Sequence, residues 1–512
     1  LSRAGTTWSL TSTMTSAPPP EPATCRTGWR SRLRQVMTIL AAIPPPVMIV
    51  QPVRKVRRVE TNVQALQAWA QSKARSDVLV QIAGSDEMAV FAPALEQTVR
   101  NAGDHLALGN VAAIEPLAAL IENGGTVNLG HRAGLYRRVI WVVPAAGPVT
   151  SATLDEFRRV MAERRGYSEA ALADFTAEGA WFVGTIDGIP LTVTALESLD
   201  VGRERAVLNI DLSYFVGRQA QDHAYRPGTA SLLELLRFLK TRRIAADCVT
   251  VNLASLRQAV PMDIRYYGEI IGAALENPAL LADPPPAIYA LMIEAERELV
   301  AGRFGEAEVR YAELTRRRGD SAGLFFSLAV ARGFGGRAEG CREALIEAYN
   351  LDPAYLRGFF QLARVLGGAN KVEAGEYLLE TPDLVKIIPA IEMDLQRGMF
   401  YFGAGNYHDA IVFLESVASQ RRDDFAVRTV LLRAYEEVGA TGKEAAVLEA
   451  LIEIDAGRVD RDMPWVYKRL GRLTEEAGLG ARAAEVYARY LELVPGDEDA
   501  ESMSRVIERY GR

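Results

Sequence analysis

The sequence predicts an α/β domain with a mostly parallel sheet, followed by an all-α repeat solenoid. Three observations carry this. From Met48 to about Asn277, apolar and partly β-branched runs alternate with helical patterns, as in parallel sheets covered by helices. ADPPPAI (282–288) then interrupts the pattern, because consecutive prolines cannot continue a helix. Beyond it the chain reads as helix throughout, and a motif recurs from Gly302 to Gly336, an offset of 34 residues.

Residues 1–47 stand apart from the rest. They include SAPPPEPAT and are rich in Ser, Thr, Pro and Arg, a composition expected of a disordered leader. The run VMTILAAIPPPVMIV (36–50) follows several arginines and resembles a signal peptide. Its prolines break it, it is too short to span a bilayer, and no small-residue cleavage site follows. A natural start at Met37 or Met48 is expected, with a cytoplasmic location and no membrane partner.

The strands expected in the first domain (48–282) are DVLVQIA (77–83), RRVIWVVP (137–144), PLTVTAL (190–196), AVLNIDLSYF (206–215) and DCVTVNLA (247–254). The intervening helices are NVQALQAWAQSKA (62–74), APALEQTVRNA (92–102), NVAAIEPLAALIENGG (110–125), TLDEFRRVMAERRG (153–166), ASLLELLRFLKTRR (230–243) and RYYGEIIGAAL (265–275). Ligands of open parallel sheets sit beyond the carboxyl ends of the strands. In VLNIDLSYF (207–215) strand alternation would point Asn209, Asp211 and Ser213 to one side.

Composition excludes several functions. The 512 residues carry a formal net charge of −7, with pI near 5.5, and give no basic patch for nucleic acid. Cys25, Cys248 and Cys341 are far apart and suit a reducing compartment. His105, His131, His223 and His408 lack zinc-ligand spacing, and His131 and His223 lie in polar stretches expected to be solvated. Cys248 leads a buried strand and is expected to pack. No GxSxG, Walker A or dinucleotide-binding motif is present.

The strand ends VLVQIAGSDEM (78–88) and LNIDLSYF (208–215), with VETNVQALQAW (59–69) upstream and DIRYYGEIIGAAL (263–275) downstream, resemble the arginase-like ureohydrolase superfamily. The nearest likeness is to its uncharacterised branch, with LxHxDxHxD and DIDxDxF patterns. The resemblance implies a two-metal site, and this chain departs from it. Gln81, Ala83, Ser85 and Glu87 stand where His, Asp, His and Asp are wanted. Asn209, Asp211 and Ser213 replace the paired aspartates, and Asn62 stands where a His is expected. Two-metal hydrolysis needs carboxylates and imidazoles around both ions. The resemblance therefore implies an eroded site with Glu87 and Asp211 as relics, no metal, no cofactor and no catalytic residue.

In residues 286–510 the small residues Ala307, Cys341, Ala410 and Ala483 recur beside the large ones Tyr311, Leu345, Leu414 and Tyr487, and Pro353 and Pro495 end their helices. With Gly302, Gly336, Gly405 and Gly478 this resembles the tetratricopeptide repeat, in five or six units. The unit at 356–385 is degenerate, with Gly375 at the small position. The resemblance implies a peptide groove lined by Phe326, Arg357, Phe360, Arg364, Phe402, Arg433, Trp465, Lys468 and Arg472. Its cations suit acidic or carboxylate-terminated segments, unless nearby acids such as Glu392, Glu436 or Glu475 neutralise them. The Asn pair of chaperone-binding clamps is missing. The expectation is a non-catalytic interaction protein. The alternative is a metal-dependent hydrolase of an amidino or amide substrate with a reduced metal site.

Overall fold

The computed structural model describes residues 56–72, 76–84, 88–89, 91, 93–144, 149–165, 167–216, 229–241, 244–253, 262–277 and 286–511. The chain divides into two compact units, one ending at Leu324 and the other beginning at Phe325.

The first unit is built on a sheet of eight described strands: β1 (Val56–Val59), β2 (Val78–Ile82), β3 (Arg138–Val143), β4 (Thr176–Glu178), β5 (Trp181–Ile186), β6 (Ile189–Ala195), β7 (Arg205–Asp211) and β8 (Ala245–Asn252). Their order is β1-β8-β7-β2-β3-β6-β5-β4. Pairing is parallel from β1 across to β6, and antiparallel only where β5 and β4 extend the sheet. All five expected strands form. β2 is buried at every position, as a strand covered on both faces must be.

Three strands escape the sequence reading. β1 holds only two apolar residues around Arg57 and Arg58. β4 and β5 belong to an antiparallel addition whose turn is Asp187-Gly188, both with positive φ. Asp-Gly is a strong short-range hairpin signal. The segment expected as one helix over 110–125 is instead an irregular succession of short helical turns, with Pro116 inside the first, since proline removes a backbone donor and crowds the preceding turn.

His131 is not fully solvated. It is near the end of the helix Thr126–Arg132, half-buried, with Nε2 at 3.2 Å from the Arg137 carbonyl. His223 lies outside the described residues. Cys248 packs in β8 as expected, buried against Ala68.

Helix α1 (Asn62–Gln71) follows β1, and α2 (Thr229–Thr241), α3 (Tyr267–Glu276), α4 (Ala287–Val300) and α5 (Phe304–Arg317) complete the part of this unit used below. α4 packs on α5 and on α2. The Tyr266 hydroxyl meets Glu296 of α4 at 3.3 Å. The first helix hairpin after the proline run thus belongs to the same compact unit as the sheet.

The helical stretch continues as α6 (Ala322–Phe334), α7 (Ala338–Leu351), α8 (Leu356–Gly368), α9 (Val372–Leu379), α10 (Ala390–Gly403), α11 (Tyr407–Gln420), α12 (Phe425–Val438), α13 (Thr441–Asp462), α14 (Trp465–Glu476), α15 (Gly480–Leu493) and α16 (Ala500–Tyr510), with a further short helix at Pro382–Ile387 between α9 and α10. Between the helices of successive hairpins one residue takes a left-handed conformation: Gly302, Gly336, Asn370, Gly405, Gly439 and Gly478. Glycine adopts positive φ without penalty, and asparagine is the commonest substitute. These residues mark a regular repeat directly on the backbone. Asn370 fills the place in the degenerate unit and Gly439 marks a unit whose signature glycine the sequence reading passed over.

The small positions Ala307, Cys341, Ala410 and Ala483 are fully buried, and Tyr311, Leu345 and Leu414 fill the space beside them. Gly375 has a physical reason: a Cβ there would come within 2.4 Å of the Phe400 ring and 2.9 Å of the Ala363 carbonyl. The last interval, Gly439 to Gly478, is longer than the others, and α13 accommodates the extra residues by breaking its helical path at Asp455 (φ −156°, ψ 79°).

Candidate functional site

The parallel register assembles the strand-end residues. Gln81 of β2 lies beside Asn209 of β7, and Asn209 beside Thr250 of β8. One pleat further along, Asp211 lies beside Asn252. All five are buried.

The inner row is a continuous hydrogen-bond chain. Trp69 Nε1 of α1 donates to Thr250 Oγ1 at 2.9 Å, and Thr250 donates to Asn209 Oδ1 at 2.6 Å. Asn209 Nδ2 donates to Gln81 Oε1 at 2.9 Å. Such a row costs little when every member is met and much when one is missing.

The outer row is closed in the same way. β7 ends at Asp211, and Ser213 opens a short helical turn rather than extending the strand. The Ser213 amide donates to Asp211 Oδ1 at 2.8 Å. The Ser213 hydroxyl and the Asn252 amide also face the Asp211 carboxylate. Burial pushes its pKa up to about 6, against the lowering effect of these hydrogen bonds. Asn252 Nδ2 donates to Asn62 Oδ1 at the start of α1. The Glu122 carboxylate accepts from the backbone amides of Asn62 and Val63 at 3.3 and 2.9 Å, a good place for an anion at a helix N-terminus. Gly84 donates to Ser213 Oγ at 3.1 Å, and a Cβ on Gly84 would stand 2.6 Å from the Ser213 carbonyl.

The structure thus brings Asn62 and Asp211 together through Asn252, which the sequence reading did not single out. Its signal was present in TVN, where Thr250 and Asn252 alternate with apolar residues as Asn209 and Asp211 do in NID. Gln81 and Ala83 are buried. Ser85 and Glu87 lie outside the described residues, and so does any separation between Glu87 and Asp211. Among the described residues no group of three or more His, Cys, Asp or Glu side chains could hold a metal ion.

Another buried carboxylate is Asp263, just before α3. Burial raises its pKa to about 7, although the backbone amides of Asp263 and Ile264 donate to it.

The expected groove residues divide into three groups. Phe326 is buried, with its ring centroid 5.6 Å from that of Tyr355. The reason is Gly358, where any Cβ would come within 2.9 Å of the Phe326 ring. Phe360 is also buried, while Phe402 is half-buried against Tyr407 and Trp465 is exposed. Arg357, Arg364 and Arg433 are exposed, and none has a carboxylate within ion-pair distance among the described residues. Arg357 and Arg364 share one face of α8, being two turns apart. Packing against its helix partly desolvates Arg364 and lowers its pKa, with no acid to offset it.

Lys468 and Arg472 belong to the third group. Lys468 Nζ lies 2.7 Å from Asp497 Oδ1 and 2.9 Å from Asp499 Oδ2, and Arg472 is 3.9 Å from Asp499. For these two cations the neutralising acids are Asp497 and Asp499, not those expected from the sequence. Glu392 pairs with Arg421, and Glu475 accepts from the Tyr487 hydroxyl. Glu436 lies close enough to Arg433 to feel its charge.

No protein-family model matches the chain, and no curated protein matches it. Solved structures do match. A tetratricopeptide repeat protein from Parabacteroides merdae is 12% identical with a TM-score of 0.25, the match covering 49% of this chain and 96% of that one. Pseudomonas aeruginosa pilF is 15% identical with a TM-score of 0.25, over 43% of this chain and 97% of that one. The repeat is visible in this chain's own helix hairpins and left-handed turns. No helix among the described residues is long and apolar enough to cross a membrane.

Proposed function

We propose that this chain is a non-catalytic interaction protein, in which a degenerate arginase-like domain carries a tetratricopeptide-repeat stretch that binds acidic peptide segments. The observation that carries the binding reading is the pair Arg357 and Arg364. Two arginines, both exposed residues, share one face of α8 with no carboxylate partner among the described residues. Cations in that state attract an acidic chain and keep their charge for it.

The non-catalytic reading is supported by the saturation of Asp211. Its carboxylate already accepts from Ser213 and Asn252. A metal ion would have to displace those donors and would find amides and hydroxyls where ionic ligands are needed.

The test is capture of partners from lysate by the full chain, wild type against Arg357→Glu/Arg364→Glu/Arg433→Glu. The full chain is required because a cut at residue 286 would separate α4 and α5 from the sheet unit. Partners retained by the wild type, released by salt and lost from the variant are the expected result. Unchanged partners whose retention ignores salt would overturn the acidic-ligand reading.

A further inference from the structure

We infer that Asp497 and Asp499 are a built-in acidic occupant of the C-terminal end of the basic strip, keeping Lys468 and Arg472 from an acidic partner. The inference rests on the acidic-ligand reading given above and adds where that ligand can and cannot bind.

The segment of residues 494–499 joins α15 to α16. Its two aspartates stand one residue apart and converge on a single ammonium group, at 2.7 and 2.9 Å. An acidic peptide would present the same Asp-x-Asp spacing to a groove lysine. The two carboxylates are held differently. Asp497 accepts from the Tyr490 hydroxyl at 2.7 Å and from the Asp499 amide at 2.9 Å, and its side chain is only 12% exposed. Asp499 is 47% exposed, so an incoming carboxylate displaces it first. Lys468 also lies over the Tyr490 ring, 5.9 Å from its centroid.

Charge chemistry indicates how this contact opens. Lys468 and Tyr490 hold the Asp497 carboxyl down to about 2. The occupant stays ionised at any physiological pH, so release comes from a competing polyanion or from salt screening. Arg357 and Arg364 have no such internal anion among the described residues. An acidic ligand can therefore engage α8 directly, whereas at α14 it has to replace Asp499.

The experiment measures fluorescence anisotropy of a labelled hexaglutamate probe with the full chain at low salt. Asp497→Asn/Asp499→Asn should bind it on the order of fivefold tighter, the size of one exposed charge contact. Adding Lys468→Met should abolish the gain. Asparagine keeps an oxygen for the Asp499 amide. Thermal unfolding checks that α16 remains docked. If the double variant melts early, Asp499→Asn alone should give a smaller gain of the same sign. No gain in either variant, with Arg357→Glu/Arg364→Glu still weakening the probe, overturns the inference and leaves the acidic-ligand reading standing. A probe indifferent to every variant overturns both. A wild type that ignores the probe, beside a double variant that binds it through Lys468, supports the inference and removes Arg357 and Arg364 from the site.

Discussion

The strand ends of the sheet and the exposed face of α8 use polar side chains in opposite ways. At the strand ends, Asn62, Gln81, Asn209, Asp211, Thr250 and Asn252 are buried and bonded to one another. On α8, Arg357 and Arg364 are exposed and lack an anionic partner among the described residues. Both regions would be picked from a sequence as sites, because each concentrates chemistry-bearing residues. Satisfaction separates them. A buried polar group that has found its partner within the chain holds the fold together, whereas an exposed charge without one remains available to a ligand.

The largest expected effect sits on the buried side. The Asp263 carboxyl is raised by burial from an ordinary 3.8 to about 7. A folded pKa above the unfolded one means that the native state binds more protons between those values. The stabilisation is therefore full below about pH 4 and is lost as pH rises through 7. At about 1.4 kcal/mol per pKa unit, the loss reaches roughly 4 kcal/mol at most. Chemical denaturation from pH 4 to 8 should show stability falling across that window, and Asp263→Asn should make the fall shallower and end it near pH 6, where the contribution of Asp211 is lost. A slope unchanged by the substitution would show that Asp263 is solvated.

Removing the centre of the inner row comes next. Asn209→Leu leaves Gln81 and Thr250 without their partner, at a cost of about 2–3 kcal/mol. The urea midpoint followed by tryptophan fluorescence measures it, with Trp69 and Trp141 reporting on the sheet. A shift equivalent to less than about 0.5 kcal/mol, the range of an ordinary surface change, would mean that water already enters the cluster. Asp211→Asn should be milder. Ser213 and Asn252 present donors that an amide oxygen can still meet, so stability at pH 7 should stay within about 1 kcal/mol of wild type. On the other side of the comparison, Arg357→Glu/Arg364→Glu should move the melting transition least, within about 0.5 kcal/mol, while weakening capture of acidic partners. A large melting shift would show that these arginines serve the fold.

The sequence announced the closed region better than the open one. The apolar runs of β2, β3 and β7 fixed the sheet centre, and Asn209 and Asp211 were legible as polar residues within a buried strand. The hairpin of β5 and β6 was missed although Asp187-Gly188 marked its turn. Ser213 was misplaced because a strand period was carried past the point where a helical turn begins. The repeat was legible from its glycines and small residues, and Asn370 shows how a substituted left-handed residue hides a unit. The exposure of individual groove residues was not legible. Phe326 is buried because residue 358 is a glycine, and Lys468 is neutralised by carboxylates beyond the end of the next helix. Such pairings depend on packing that no single period contains.

The claim that the strand ends are closed is tested most directly by metal content. The full chain, incubated with Mn²⁺ or Zn²⁺ and dialysed, should retain well under one equivalent by elemental analysis, and Asp211→Ala should change nothing. Retention of one or two equivalents that disappears with Asp211→Ala would contradict it, and would restore the metal-dependent hydrolase as the reading to pursue.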